Sequence, residues 1–267
     1  MTFTFTDLLA ETKGNRSDSY TPVTSAEQYV AYLKTMHVVE DFTIPETVII
    51  TFGRNHLSHI LTNYDHTTVA FMSHLYIIDE GKLGVLGGFG MGAPAMVHRI
   101  EELIAFGAKR FILSGLAGSL TEEFAIGDAV LCTHALSEDG VGHLYMGQNQ
   151  KFSAASSDLV SAWSLFTQSK EMHDTFQHVA SWSFPVIFRE TKEDIERVTK
   201  LGCRTVEMEV GALYAIAQEK QVEALALFVI SDSLANGVWH PQLKHDHVRE
   251  KLKALTELAI EFSRTSF

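Results

Sequence analysis

Three acidic side chains in two short segments have the types and spacing needed to bind a small hydroxylated ligand. Glu207 and Glu209 flank Met208. Two carboxylates can accept hydrogen bonds from vicinal hydroxyl groups while a thioether packs against a sugar ring, a combination that suits ribose. Glutamates are also favoured in the first turn of a helix, so a structural role for this pair stays open.

The third acidic side chain, Asp232, follows the apolar run 224–230 after one serine, Ser231. That run is typical of a buried strand. Because ligands of open α/β sheets bind at the carboxyl ends of the strands, a carboxyl group at this position is a candidate ligand-binding group.

Two glycine-rich segments also follow apolar runs that predict buried strands. Residues 87–92 precede a helical pattern over 93–107, and residues 114–118 follow the run 111–113. Loops with little side-chain bulk expose backbone N–H groups, and the first loop lies at the positive end of the helix that follows it. We predict two adjacent loops that hold an anionic or heavily hydroxylated ligand.

Strand and helix patterns alternate along the chain, which predicts one large α/β domain. Thr24, with Glu27 as the second member of a capping box, predicts an N-terminal helix. The helical stretch between strands 82–86 and 111–114 predicts a parallel βαβ crossover. The other predicted elements are strands at 48–52, 129–132 and 224–230 and helices at 206–218 and 244–263.

Composition favours a small-molecule partner. The chain has 267 residues, a net charge of −12 and 46% hydrophobic residues, so nucleic acid and anionic membranes would be repelled over most of the surface. No apolar run approaches the roughly 20 residues of a membrane span. Two distant cysteines and no recognisable leader predict a cytoplasmic location.

Metal and nicotinamide chemistry are not expected. His240, His245 and His247 surround Asp246, but a two-residue spacing on a helix directs side chains to different faces. The glycines of 87–92 do not form the dinucleotide-binding fingerprint. We therefore predict no bound metal and no cofactor.

Five short segments occur together in an order and spacing that resemble a known family. They are Gly90-Met91-Gly92-Ala93-Pro94-Ala95 with Glu101-Glu102-Leu103, Gly115-Leu116-Ala117-Gly118-Ser119-Leu120, Ile126-Gly127-Asp128, Val206-Glu207-Met208-Glu209 and Ser231-Asp232. The family is the nucleoside phosphorylase-I superfamily of purine nucleoside phosphorylases, uridine phosphorylases and related nucleosidases. Phe188-Arg189-Glu190-Thr191 and Trp239 resemble a little-characterised bacterial branch.

The resemblance implies a fold and a domain division. The fold is a single-domain three-layer αβα sandwich around a central mixed, largely parallel sheet. Residues 1–45 form an N-terminal extension with one helix, and residues 46–267 form the phosphorylase-like domain. Members of the family are usually homo-oligomers, so we expect at least a dimer.

The resemblance also implies cleavage of the bond between ribose C1′ and a nucleobase nitrogen, with phosphorolysis to free base and ribose 1-phosphate as the leading expectation. Glu209 and Asp232 would be the catalytic residues, and Asp232 would protonate or hydrogen-bond a purine-type base. Glu207, Met208 and Glu209 would bind ribose. Base contacts would come from Ala117, Gly118, Trp182, Phe184, Phe188 and Asp232.

Inorganic phosphate would be the co-substrate, and its predicted ligands are Gly53, Arg54, His56, Gly90, Met91, Gly92 and Ser114. Leu113 and Leu116 stand where phosphorylases usually carry an arginine and a hydroxyl residue. The segment 53–57 also lacks the arginine that usually comes four residues after the glycine. A nucleosidase that uses water and a catalytically silent nucleoside-binding homologue therefore remain alternatives.

Overall fold

The structure is a computed structural model that describes residues 23–39, 43–70, 73–146, 150–172 and 175–267. Its strands are β1 Thr47–Ile50, β2 Thr67–Ala70, β3 His74–Ile78, β4 Leu83–Leu86, β5 Arg110–Ser119, β6 Ala129–Ser137, β7 Phe152–Ala154, β8 Phe176–Ser183, β9 Cys203–Glu207, β10 Glu223–Ser233 and β11 His240–Pro241. Its helices are α1 Ala26–Thr35, α2 Arg54–Asn63, α3 Ala93–Ala105, α4 Ser157–Ser169, α5 Lys192–Lys200, α6 Val210–Lys220 and α7 Asp246–Ser266.

A central mixed sheet organises the chain, in the order β11-β10-β6-β8-β9-β5-β1-β4-β3-β2. Strand β5 pairs with β10 as well as with β9. These two pairings close β5, β10, β6, β8 and β9 into a ring, which the sequence patterns did not predict. Strands β6, β8 and β9 run antiparallel to β5 and β10. The sheet therefore contains more antiparallel pairings than the predicted, largely parallel sheet.

Two hydrophobic clusters cover the two faces of the sheet. One contains the buried side chains of α3 and α6 together with Leu33 of α1. The other contains the buried side chains of α2, α4 and α7, with Trp163 and Phe262 among the largest. Helices on both faces of one sheet confirm the predicted α/β layered class.

The N-terminal helix α1 is capped one residue later than predicted. The Ser25 hydroxyl accepts from the Gln28 N–H at 3.2 Å, and the Gln28 side chain accepts from the Ser25 N–H at 3.1 Å. Ser25 and Gln28, rather than Thr24 and Glu27, therefore form the capping box. Val30 and Leu33 bury the inner face of this helix. Residues 1–22 of the predicted extension lie outside the described residues.

The first glycine-rich segment is a loop, as predicted, whereas the second is not. Gly88, Gly90 and Gly92 have positive φ angles of 73°, 106° and 91°, which favour glycine. Residues 114–118 continue strand β5 instead, because β10 pairs with them along their whole length. Their amides are used in sheet pairing rather than exposed to a ligand.

The predicted helix 206–218 also begins later than expected. Residues Cys203–Glu207 form β9, which pairs with β8 and with the end of β5, and the helix starts at Val210.

No helix within the described ranges is both long enough and apolar enough to cross a membrane. The described residues also contain no group of three or more side chains that could hold a metal ion.

Candidate active site

Gly118 lies at the crossing point of the candidate site. It pairs with Val206 of β9 on one side and with Asp232 of β10 on the other. A Cβ atom at position 118 would lie 3.5 Å from Asp232 Oδ2, 3.2 Å from Val206 Cγ1 and only 2.7 Å from Leu234 Cδ1. Glycine is therefore required for β9 and β10 to approach β5 this closely, and the approach brings Asp232 and the segment after Val206 to one region.

Glu209 connects this region to the first glycine-rich loop. Its Oε1 accepts a hydrogen bond from the Gly92 N–H at 2.6 Å, and its Oε2 accepts one from the Met208 N–H at 3.2 Å. Gly92 directly precedes α3, so the carboxyl group occupies the positive end of that helix. The residue is only 7% exposed, and burial, with Glu207 as a second cause, raises the pKa of Glu209 to about 8.

Glu207 caps helix α6. Its Oε2 accepts from the backbone N–H groups of Glu209 and Val210, both at 2.7 Å, and its Oε1 accepts from the Ser183 hydroxyl. Burial raises the pKa of Glu207 to about 7. These hydrogen bonds give Glu207 a structural role at the start of α6, and its predicted ribose contact stays a prediction. Met208 is partly exposed, whereas Glu209 is buried.

Asp232 is held by two donors. Its Oδ1 accepts from the Ser231 hydroxyl at 2.6 Å, and its Oδ2 accepts from the indole N–H of Trp239 at 2.8 Å. Strand β11 returns antiparallel to β10 and pairs Asp232 with Pro241, which brings Trp239 over the carboxyl group. Asp232 is 9% exposed, whereas Trp239 is 54% exposed. An aromatic surface therefore stands beside a buried carboxyl group.

Glu190 is a functional candidate that the sequence analysis did not select. It follows the 3₁₀ turn Ile187–Arg189 and is partly buried. Burial, with the nearby charge of Asp232 as the second cause, raises the pKa of Glu190 to about 7. Its position in the Phe188-Arg189-Glu190-Thr191 element is a usable sequence signal. Nothing in the sequence indicates that the charge of Asp232 influences this element.

The predicted base-binding aromatics lie in different environments. Trp182 has no exposed surface and donates its indole N–H to Glu138 Oε2 at 2.7 Å, so it is a core residue and the predicted base contact is wrong. Phe184 is partly buried and stacks on Trp182 with ring centroids 4.4 Å apart. Phe188 is 91% exposed, so its ring is open to solvent. Ala117 is buried in the strand beside Gly118.

Two predicted phosphate ligands belong to a buried hydrogen-bond chain instead. The Ser114 hydroxyl lies 2.6 Å from the Thr256 hydroxyl, which lies 2.5 Å from His56 Nε2. Burial, followed by the charges of His59 and Lys253, lowers the pKa of His56 to about 4. A buried, neutral imidazole provides no positive charge for phosphate. These hydrogen bonds link β5 and α2 to α7. Ser114 and His56 therefore have structural roles, which corrects the prediction that they bind phosphate.

The rest of the predicted phosphate site also offers few groups that could bind phosphate. Leu57, four residues after Gly53, covers the first glycine-rich loop, because a Cβ atom at Gly87 would lie 3.2 Å from both of its methyl groups. The Gly92 N–H already donates to Glu209, and the Ala93 N–H donates to the Met208 carbonyl at 3.1 Å. Gly53, Arg54, Gly90 and Met91 are exposed. Arg54 is the one permanent cation among the predicted phosphate ligands.

The structure is an α/β fold whose candidate acidic site lies where β5, β9 and β10 meet the loop before α3. The family model described as the phosphorylase superfamily matches residues 41–264. The chain belongs to this superfamily, and the resemblance drawn from the five sequence segments is confirmed.

Curated relatives carry purine nucleoside phosphorylase names. The Shewanella oneidensis protein, DeoD-type 1, is 30% identical over 175 residues, which are 65% of this chain and 72% of that protein. A DeoD-type protein of Streptococcus pneumoniae is 34% identical over 151 residues, which are 56% of this chain and 63% of that one.

A solved structure has the same fold. The purine nucleoside phosphorylase of Toxoplasma gondii in complex with immucillin-H gives a TM-score of 0.71 at 16% identity, over 82% of this chain and 90% of that one. At that identity the similarity extends to the fold alone. The layered α/β class is therefore seen in a solved member of the same fold group.

Proposed function

We propose that this protein cleaves the N-glycosidic bond of a purine-type nucleoside. The observation that carries the proposal is the pairing of Gly118 with Val206, three residues before Glu209, and with Asp232. The Glu209 carboxyl group lies at the glycine-rich loop and the Asp232 carboxyl group lies beside an exposed indole. One small ligand with a hydroxylated end and a heterocyclic end would contact both. The purine nucleoside phosphorylase names of relatives at 30% and 34% identity support it.

The sugar and the base of the ligand would contact different residues. Bond breaking leaves positive charge on the sugar, so Glu209 would hold the ribose hydroxyls in a fixed orientation while Met208 packs against the ring. The base leaves with negative charge, so hydrogen-bond and proton donors near Asp232 would stabilise it. Phe188 and Trp239 offer aromatic surfaces on which a purine can stack.

Phosphate is the acceptor we propose first, because the named relatives are phosphorylases. Arg54 and the backbone of Gly90 and Met91 would then hold it. A specific observation favours water as a second candidate. Leu57 packs on Gly87, and Glu209 already uses the Gly92 N–H, so few charge-assisted partners remain for a compact dianion.

A nucleoside panel tests the proposal and separates the acceptors. Inosine, guanosine, adenosine and uridine are incubated with the protein, with and without phosphate, and the free base is measured by chromatography. Phosphate-dependent release of a purine supports phosphorolysis, and release without phosphate supports hydrolysis. Binding without release identifies a silent homologue, and the absence of both contradicts the proposal. The Glu209→Gln variant is the control for release by a contaminating enzyme.

We further propose that the protein needs no cofactor beyond phosphate, acts in the cytoplasm and forms at least a dimer. Light scattering at several protein concentrations tests the oligomeric state. A monomer at all concentrations contradicts that part of the proposal without affecting the reaction.

A further inference from the structure

The end of strand β10 and two loops carry the two carboxyl groups and two aromatic side chains of the proposed base end of the candidate site. We call Phe188, Glu190, Asp232 and Trp239 the base-end cluster. The loops that carry it touch each other, because a Cβ atom at Gly237 would lie 2.8 Å from Lys192 Cγ. Gly237 is two residues before Trp239, and Lys192 is two residues after Glu190. The contact therefore fixes the Glu190 segment against the loop that covers Asp232.

The two carboxyl groups of the cluster have different partners. Both oxygens of Asp232 already accept hydrogen bonds, one from Ser231 and one from Trp239. A carboxylate oxygen has more than one acceptor site, so Asp232 can accept a further hydrogen bond from an N–H group of a base. Glu190, in contrast, makes no side-chain hydrogen bond or ion pair with any residue that the structure describes. Its carboxyl group is free to face a ligand.

The environment of Glu190 also favours a carboxyl group that carries a proton near neutral pH. Partial burial disfavours its charged form, and the neighbouring Asp232 disfavours a second negative charge, so the pKa of Glu190 rises to about 7. Two neighbouring carboxyl groups in different environments commonly divide proton donation and charge stabilisation between them.

We propose that Glu190 is the general acid that protonates the departing base, while Asp232 accepts a hydrogen bond from it. This inference rests on the proposed nucleoside cleavage. It moves the proton-donating role expected for Asp232 to Glu190, a residue that the sequence motifs do not mark as catalytic.

The proton transfer balances without a further reactant. The bond between C1′ and N9 breaks, its electron pair goes to the purine, and N7 receives the proton from the Glu190 carboxyl group. The acceptor forms the new bond to C1′ and loses one proton, which restores the acid. Glu190 therefore begins and ends each cycle protonated.

Paired substrates test this role, because a purine nucleoside methylated at N7 already carries positive charge and needs no proton to leave. We expect Glu190→Gln to lower kcat/KM for inosine about 100-fold, within the usual range for loss of a general acid. For 7-methylinosine the loss is expected to stay within about threefold, because no proton is donated. Glu193→Gln, an exposed residue on the neighbouring helix α5, is the matched control and should match the wild type on both substrates.

The pH profile is the second readout. Wild-type kcat/KM for inosine should fall as the pH rises above about 7, the pKa of Glu190. This limb should be absent for 7-methylinosine and in the Glu190→Gln variant. Equal losses on both substrates, or an unchanged rate for inosine, overturn the role of Glu190 while leaving nucleoside cleavage intact. A wild-type protein that releases no base overturns the proposed function itself and this inference with it.

Discussion

The ribose end and the base end of the candidate site contain the same residue types in opposite settings. Glu207 and Glu209 accept hydrogen bonds from backbone amides next to α3 and α6, so their positions are fixed by the fold. Asp232 accepts a hydrogen bond from the exposed Trp239, and the side chain of Glu190 has no hydrogen-bond partner among the described residues. In the function proposed above, the first end would hold the ligand in a fixed orientation and the second would exchange a proton with it.

The largest expected effect concerns the fixed end. Glu207→Ala removes the acceptor of two backbone N–H groups and of the Ser183 hydroxyl. Leaving buried donors without partners should lower the free energy of unfolding by about 3 kcal/mol, as measured by urea denaturation. Glu193→Ala is the surface control and should change it by less than about 0.5 kcal/mol. A loss at position 207 no larger than at position 193 would show that the cap is not structural.

Glu209→Gln separates holding the ligand from holding the fold. The amide keeps the size of the side chain but places an N–H₂ group where a second acceptor is needed, so nucleoside binding should weaken about tenfold or more. Isothermal titration with a purine nucleoside measures this. Unchanged affinity would remove Glu209 from the ribose site.

The fixed end should also make stability depend on pH. The pKa values of Glu207 and Glu209 are raised on folding to about 7 and about 8. Their stabilising contribution is therefore fully present below their unfolded pKa values and is lost as the pH rises through 7 and 8, with a slope of at most about 1.4 kcal/mol per pH unit for each group. Denaturation of the wild type and Glu209→Gln between pH 5 and pH 9 measures the difference. Parallel curves would contradict the raised pKa of Glu209.

The smallest expected effect concerns the base end. Trp239→Phe keeps an aromatic surface but removes the indole N–H that donates to Asp232. Loss of one partly exposed hydrogen bond should cost about 1 kcal/mol or less, so binding of the nucleoside should weaken fivefold or less while binding of ribose alone stays unchanged. A loss of ribose binding would indicate that the two ends are not independent.

Several elements could be predicted because their signals are local. The loop 87–92 and helix α3 follow from glycine spacing, Pro94 and apolar periodicity, and the Phe111–Leu113 core of β5 follows from a continuous apolar run. The sequence pattern predicts a helix from Val206, which includes the last two residues of β9, because Val206 and the two glutamates also fit a helix start. Pairing with β5 and β8 decided otherwise.

The predicted phosphate ligands also show that local sequence signals do not reveal long-range contacts. Ser114 and His56 have suitable side chains, yet both are buried against Thr256, which lies 142 and 200 residues away in sequence, respectively. Trp182 likewise found Glu138 as its partner rather than a ligand. Contacts of this kind depend on how distant helices and strands pack, and residue type alone does not encode them.

Short motifs and apolar runs are set by neighbouring residues, so the superfamily, the α/β class and the candidate residues Glu209 and Asp232 could be predicted from the sequence alone. Tertiary packing sets which carboxyl groups accept hydrogen bonds at helix starts and leaves the Glu190 side chain without a hydrogen-bond partner among the described residues. These outcomes depend on burial and on hydrogen bonds between segments far apart in the chain. The strands that carry these segments meet at Gly118, where there is no room for a side chain.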